Sequence, residues 1–214
     1  MHLQIYGQEV QINDNLVIES DGTVRMDSTA TVWNDIMVYP DATTRGGSNP
    51  PVWGTRFKSN AGNTSQGVYL WMFSSSQEQE LYFTLQIPHD YKLGSDLFPH
   101  VHWTTVSVTP SGTNVVWGLE YTIVAIGGNF PVTNTITGNS VISFIGTPTG
   151  AGQHLINSLG SISGTNIGIS SIIVCRIFRS VGNASDTFAN EVGYLGFDVH
   201  YEQDTQGSRE EYIK

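Results

Sequence analysis

Charge is what this chain has least of. Only 13% of its 214 residues are Asp, Glu, Lys or Arg, about half the usual globular share. Nine lysines and arginines stand against nineteen acids, a formal charge of −10. Nucleic-acid affinity rests on Lys and Arg, so so few cations argue against a nucleic-acid partner. The same balance argues against an anionic membrane surface. No apolar stretch approaches the roughly 20 residues that span a bilayer. Met1-His-Leu-Gln-Ile-Tyr6 is not a basic segment leading into an apolar run, so no signal peptide is visible. Cysteine is nearly absent too. Cys175 alone cannot form an intrachain disulfide and reads as a small core residue of a chain made in a reducing cytoplasm. There is no Gly-x-Ser-x-Gly elbow, no Gly-x-Gly-x-x-Gly and no Walker loop. No enzyme signature and no cofactor are therefore expected.

What fills the space left by charge is Ser, Thr, Asn, Gln and 23 glycines, the composition of a turn-rich β-protein. Leu16 to Met26 carries Asp21-Gly22 between two apolar runs, which predicts a hairpin with a two-residue loop. Gly7-Gln8 predicts a weaker turn before it. Trp33, Ile36 and Val38 are packing anchors of a transition segment. Gly46-Gly47 and Pro50-Pro51 mark a loop, placing a boundary between an N-terminal arm, 1–45, and a main domain, 46–214. In the main domain, 67–73 is apolar on both faces and reads as a central strand. Residues 80–87 alternate, with Leu81, Phe83, Leu85 and Ile87 inward. Strands follow at 98–108, 115–124, 136–145, 171–179 and 193–203, with 154–159 either a helical turn or an edge strand. The expected fold is all-β: an antiparallel, jelly-roll-like sandwich with a short N-terminal hairpin or extended arm.

Three constellations could carry chemistry. Side chains alternate along a strand, so His100 and His102 share one face, as do Asp198, His200 and Glu202. If their strands adjoin each other and that of Glu120, imidazoles and carboxylates converge as a candidate metal site, with His100, His102, His200 and Glu202 as ligands. The alternative is a polar sheet face in ordinary hydrogen bonds or at a subunit interface. A His-x-His on a jelly roll resembles cupin metalloenzymes, but Thr104-Thr-Val-Ser-Val108 stands where that pattern needs Glu and Gly. Arg176, flanked by Ile172, Val174 and Phe178, reads as a buried arginine paired with Glu120 or Asp198. Among five tryptophans, Trp71 and Trp117 lie in apolar strands and are expected in the core. Trp53 follows Pro50-Pro51 and is the surface candidate for stacking on a sugar. Asn-x-Ser/Thr sequons at Asn63 and Asn183 mean little without a secretory route.

Thr31-Val-Trp-Asn-Asp-Ile36, Ser65 to Phe73, Glu80 to Asp90, Pro99-His-Val-His-Trp103, Trp117 to Tyr121 and Val199 to Arg209 together resemble a family of small proteins of tailed bacteriophages. The resemblance covers roughly residues 28–214. It implies a virion structural protein synthesised in the host cytoplasm: a capsid decoration or cement protein, a head fibre or a tail-fibre component. The expected partners are further copies in a homotrimer, other capsid or tail subunits, and a host surface glycan. A receptor- or glycan-binding module of a tail fibre and a cupin-like metal-binding protein are the alternatives.

Overall fold

The computed structural model describes residues 10–12, 15–27, 30–58, 65–105, 113–141 and 152–214. The Gly7-Gln8 turn and the Asn63 sequon lie outside them. Among the described residues nearly all regular secondary structure is antiparallel strand, as the hydroxyl- and glycine-rich composition predicts. A first small sheet joins β1 (Val10–Ile12), β2 (Leu16–Ile18) and β3 (Val24–Met26). The expected hairpin forms, but Glu19 N donates to Thr23 O and Gly22 N to Glu19 O. The loop is therefore the three residues 20–22 rather than two. Gly22 takes φ +86°, the left-handed position that such a loop closes on.

The main body has two sheets. One runs, in spatial order, β11 (Asn134–Val141), β10 (Asn114–Val124), β13 (Ile172–Arg179), β8 (Glu80–Gln86) and β5 (Thr44–Arg45). The other runs β12 (His154–Ser158), β9 (Leu97–Thr105), β14 (Val192–Gln203), β7 (Val68–Phe73) and β6 (Val52–Phe57). Taken alone, β7 to β14 form the four-stranded orders 7-14-9-12 and 8-13-10-11. That is the interleaving of a jelly roll, in which the last strand inserts between the first and third. The strand at 67–73 is not central: β7 is next to last, covered outside only by β6. Residues 154–158 are the edge strand, not the helical turn.

The arm boundary also moves. β4 (Val32–Val38) pairs with β14 over seven residues, from Phe197↔Val38 to Gln203↔Val32. β5 pairs with β8. Residues 32–38 and 44–45 are thus sheet members, because a strand needs its ladder bonds satisfied and β14 is left open beyond its three pairs with β7. Of the packing anchors, Val38 is buried and Ile36 is partly buried against the core, but Trp33 is exposed.

Leu81, Phe83, Leu85 and Ile87 all face inward, meeting Ile173, Cys175 and Ile177 of β13 and Val101, Trp103, Phe197 and Val199 of the facing sheet. Each large side chain so buried contributes about 1.5–3 kcal/mol. Trp117 is fully buried, edge-on to Phe73 at 4.9 Å. A bulge at Leu195 lets both Tyr194 and Phe197 point inward, three positions apart.

Candidate functional site

After that bulge, strict alternation puts Asp198, His200 and Glu202 on the outer face of the six-stranded sheet. His100 of β9 pairs directly with Asp198. Asp198, only 6% exposed, lies between two imidazoles: His102 Nε2 is 3.1 Å from Oδ2 and His100 Nδ1 is 3.2 Å from Oδ1. The second contact is an ion-pair distance without hydrogen-bond alignment. His154, from edge strand β12, places Nε2 2.8 Å from His102 Nδ1. A carboxylate only accepts, so with a neutral His102 the order is fixed: His154 Nε2–H donates to His102, and His102 Nε2–H donates to Asp198. His200 Nδ1 is 2.6 Å from Asp35 Oδ1 of β4, and its ring stacks on Trp33 at 4.7 Å.

The expected convergence is therefore half realised. His100, His102 and Asp198 meet, and His200 stands beside them, its ring 6.2 Å from that of His100. Glu202 turns to Lys92 instead, at 2.6 Å. Glu120 belongs to the opposite sheet. Among the described residues no three His, Cys, Asp or Glu side chains are set to hold a metal ion. Five of the eight ring nitrogens of His100, His102, His154 and His200 lie against aspartates or one another. His154 and Asp35 were not foreseen, since only the pairing of β12 and β4 with the central strands brings them here.

Arg176 does not lie on the buried face. β13 turns Ile173, Cys175 and Ile177 inward, and Arg176 outward with Val174, which is 40% exposed. Its partners are Glu120 at 2.9 Å, as one alternative had it, with Glu80 at 2.7 Å and Glu78 at 3.1 Å. Asp198 is on the other sheet. The hydrogen bond from Thr133, then that from Arg176, hold the Glu120 carboxyl below its usual range. The buried arginine is Arg179. Its fork meets Asp186 at 2.7 Å and 3.0 Å, and it donates to the carbonyls of Asn190 and Phe188. Both partners of this pair are shut from solvent. Burial pushes the Cys175 thiol far up, which suits an inert core residue.

Trp53 is 41% exposed, as expected of a surface tryptophan, but it sits on a strand rather than a loop. Its ring meets Trp71 edge-on at 4.7 Å and lies 6.3 Å from Tyr69. Trp71, expected in the core, is only partly buried against it. Its Nε1 donates to Pro40 O at 3.2 Å, and the Arg45 guanidinium lies 5.7 Å from its ring centre. Pro40, Asp41, Thr43, Arg45, Trp53 and Trp71 enclose a cleft of about 410 Å³. A larger cleft, about 860 Å³, lies between the small sheet and residues 204–214. Its cations are already matched: Arg25 to Glu19 and Asp27, Lys92 to Glu202, Arg209 to Asp21 and Lys214 to Asp204. Size favours the second cleft; unmatched polar groups favour the first.

No protein-family model matches the chain, and no curated protein matches it.

Proposed function

We propose that the chain is a non-enzymatic structural protein of a tailed-bacteriophage virion, a homotrimeric capsid decoration, cement or fibre component. Its place in a virion rests on the resemblance of residues 28–214. What supports self-association is the outer face of β12, β9, β14 and β4. There Trp33, Met37 and Ile156 are 43–49% exposed among four imidazoles, and the two aspartates present are already engaged. Interface cores are depleted in charge and enriched in aromatics and Met. In a chain of charge −10, such a face is where two copies repel each other least. The small sheet β1–β3 and the segment before it are the natural attachment region.

Light scattering coupled to size exclusion tests this on the full chain. A trimer that falls to monomer in Trp33→Glu/Ile156→Glu is expected. A monomeric wild type, or a trimer untouched by the double substitution, removes the role of this face.

A further inference from the structure

The two long sides of the sandwich are not alike. At the β11/β12 side the sheets are stitched together. Asn157, 1% exposed, accepts from Trp103 Nε1 and donates to Val115 O and Gly138 O. At the β5/β6 side the described cross-link is at one end, where buried Gln79 donates to Pro50 O and accepts from Ser74 N. β5 contributes only Thr44 and Arg45 to its ladder, so the sheet above Trp53 ends early and leaves its ring exposed beside the partly buried Trp71.

We propose that this open side is a binding site for a neutral pyranose, stacked on Trp53 with its hydroxyls held by Asp41 and Arg45. The cleft volume of about 410 Å³ falls within the roughly 300–1,000 Å³ of small-molecule sites. Among the described residues, six cations have carboxylate partners: Arg25, Lys92, Arg176, Arg179, Arg209 and Lys214. Among the described residues Arg45 meets the Trp71 ring, and neither it nor the Asp41 carboxylate makes an ion pair or a side-chain hydrogen bond. A free acceptor pair and a free donor fork thus flank an exposed aromatic face.

A sugar ring presents the complement of that set: an apolar C–H face for the indole, and hydroxyls that donate to a carboxylate and accept from a guanidinium. An acidic sugar would bring its carboxylate beside Asp41 into a chain of charge −10. A proline-rich peptide also stacks on tryptophan, but it offers chiefly carbonyl acceptors and leaves Asp41 unmatched. The site requires no particular oligomer. Its failure would leave the virion reading standing, and a monomeric chain could still bind sugar.

The test is saturation-transfer NMR with calorimetry on the full chain, using methyl glycosides of galactose, glucose and mannose. N-acetylneuraminic acid, glucuronic acid and a proline-rich peptide serve as contrasting probes. At least one neutral glycoside is expected to bind. Trp53→Ala should weaken it about tenfold or more, Trp53→Phe should restore part of the loss, and Asp41→Asn should also weaken it, with unchanged unfolding midpoints. Three results would each overturn the proposal: no neutral glycoside bound by the wild type, undiminished binding in Trp53→Ala, or preference for an acidic sugar or the peptide. Should Trp53→Ala fail to fold, the exposed Asp41→Asn decides, and full affinity there overturns it.

Discussion

Two arginines three positions apart on β13 meet different surroundings, and the difference sets what each contributes. Arg179 and Asp186 are shut from water. Removing one member of such a pair strands the other, at about 3–5 kcal/mol. Arg176 faces solvent on the outer surface with three glutamates, where ion pairs are worth about 1 kcal/mol or less. Urea unfolding should therefore show Arg179→Met losing at least about 3 kcal/mol and Arg176→Met about 1 kcal/mol or less. Equal losses would refute this division. Alternation alone put Arg176 with Ile172, Val174 and Phe178. It could not say which of the two faces of β13 the opposite sheet covers.

At the scale of the element, edge strand β12 is held by more than its five-residue ladder with β9. Asn157 ties it to both sheets. Gly138 of β11 lets it approach so closely that an added Cβ would fall 1.9 Å from Ser158 O. Asn157→Ala leaves an indole N–H and two carbonyls unpaired and should cost about 3 kcal/mol. In hydrogen exchange, amides 154–158 of either Asn157→Ala or Gly138→Ala should lose protection ahead of β9 and β14. Protection lost evenly across the sandwich would show that β12 is not separately pinned. His154 depends on this anchoring, because it reaches His102 only while β12 stays in register.

For the molecule as a whole, the decisive contact is between its ends. β4 lies along β14, and Met26 N donates to Asp204 O. The sandwich therefore begins at β4. A chain starting at Thr31 is expected to unfold at a denaturant midpoint near that of the full chain. One starting at Ser48 loses β4, with its buried Val38, and β5, and uncovers the β14 edge. It should be less stable by at least about 3 kcal/mol. Equal stability of the two would return the boundary to the Gly46-Gly47 loop.

Residue alternation was enough to determine that this chain is an antiparallel β-sandwich, that Leu81, Phe83, Leu85 and Ile87 are core, and that His100 and His102 share a face, since each follows from the period of a strand. Composition likewise showed, without any coordinates, how few cations the chain carries. Strand order is not local information. Whether β10 or β14 lies beside β9 decides that Asp198 joins the histidines while Glu120 joins Arg176. The bulge at Leu195, the short β5 that leaves Trp53 exposed, and the burial of Arg179 arise from how the two sheets meet, and only the tertiary structure decided them.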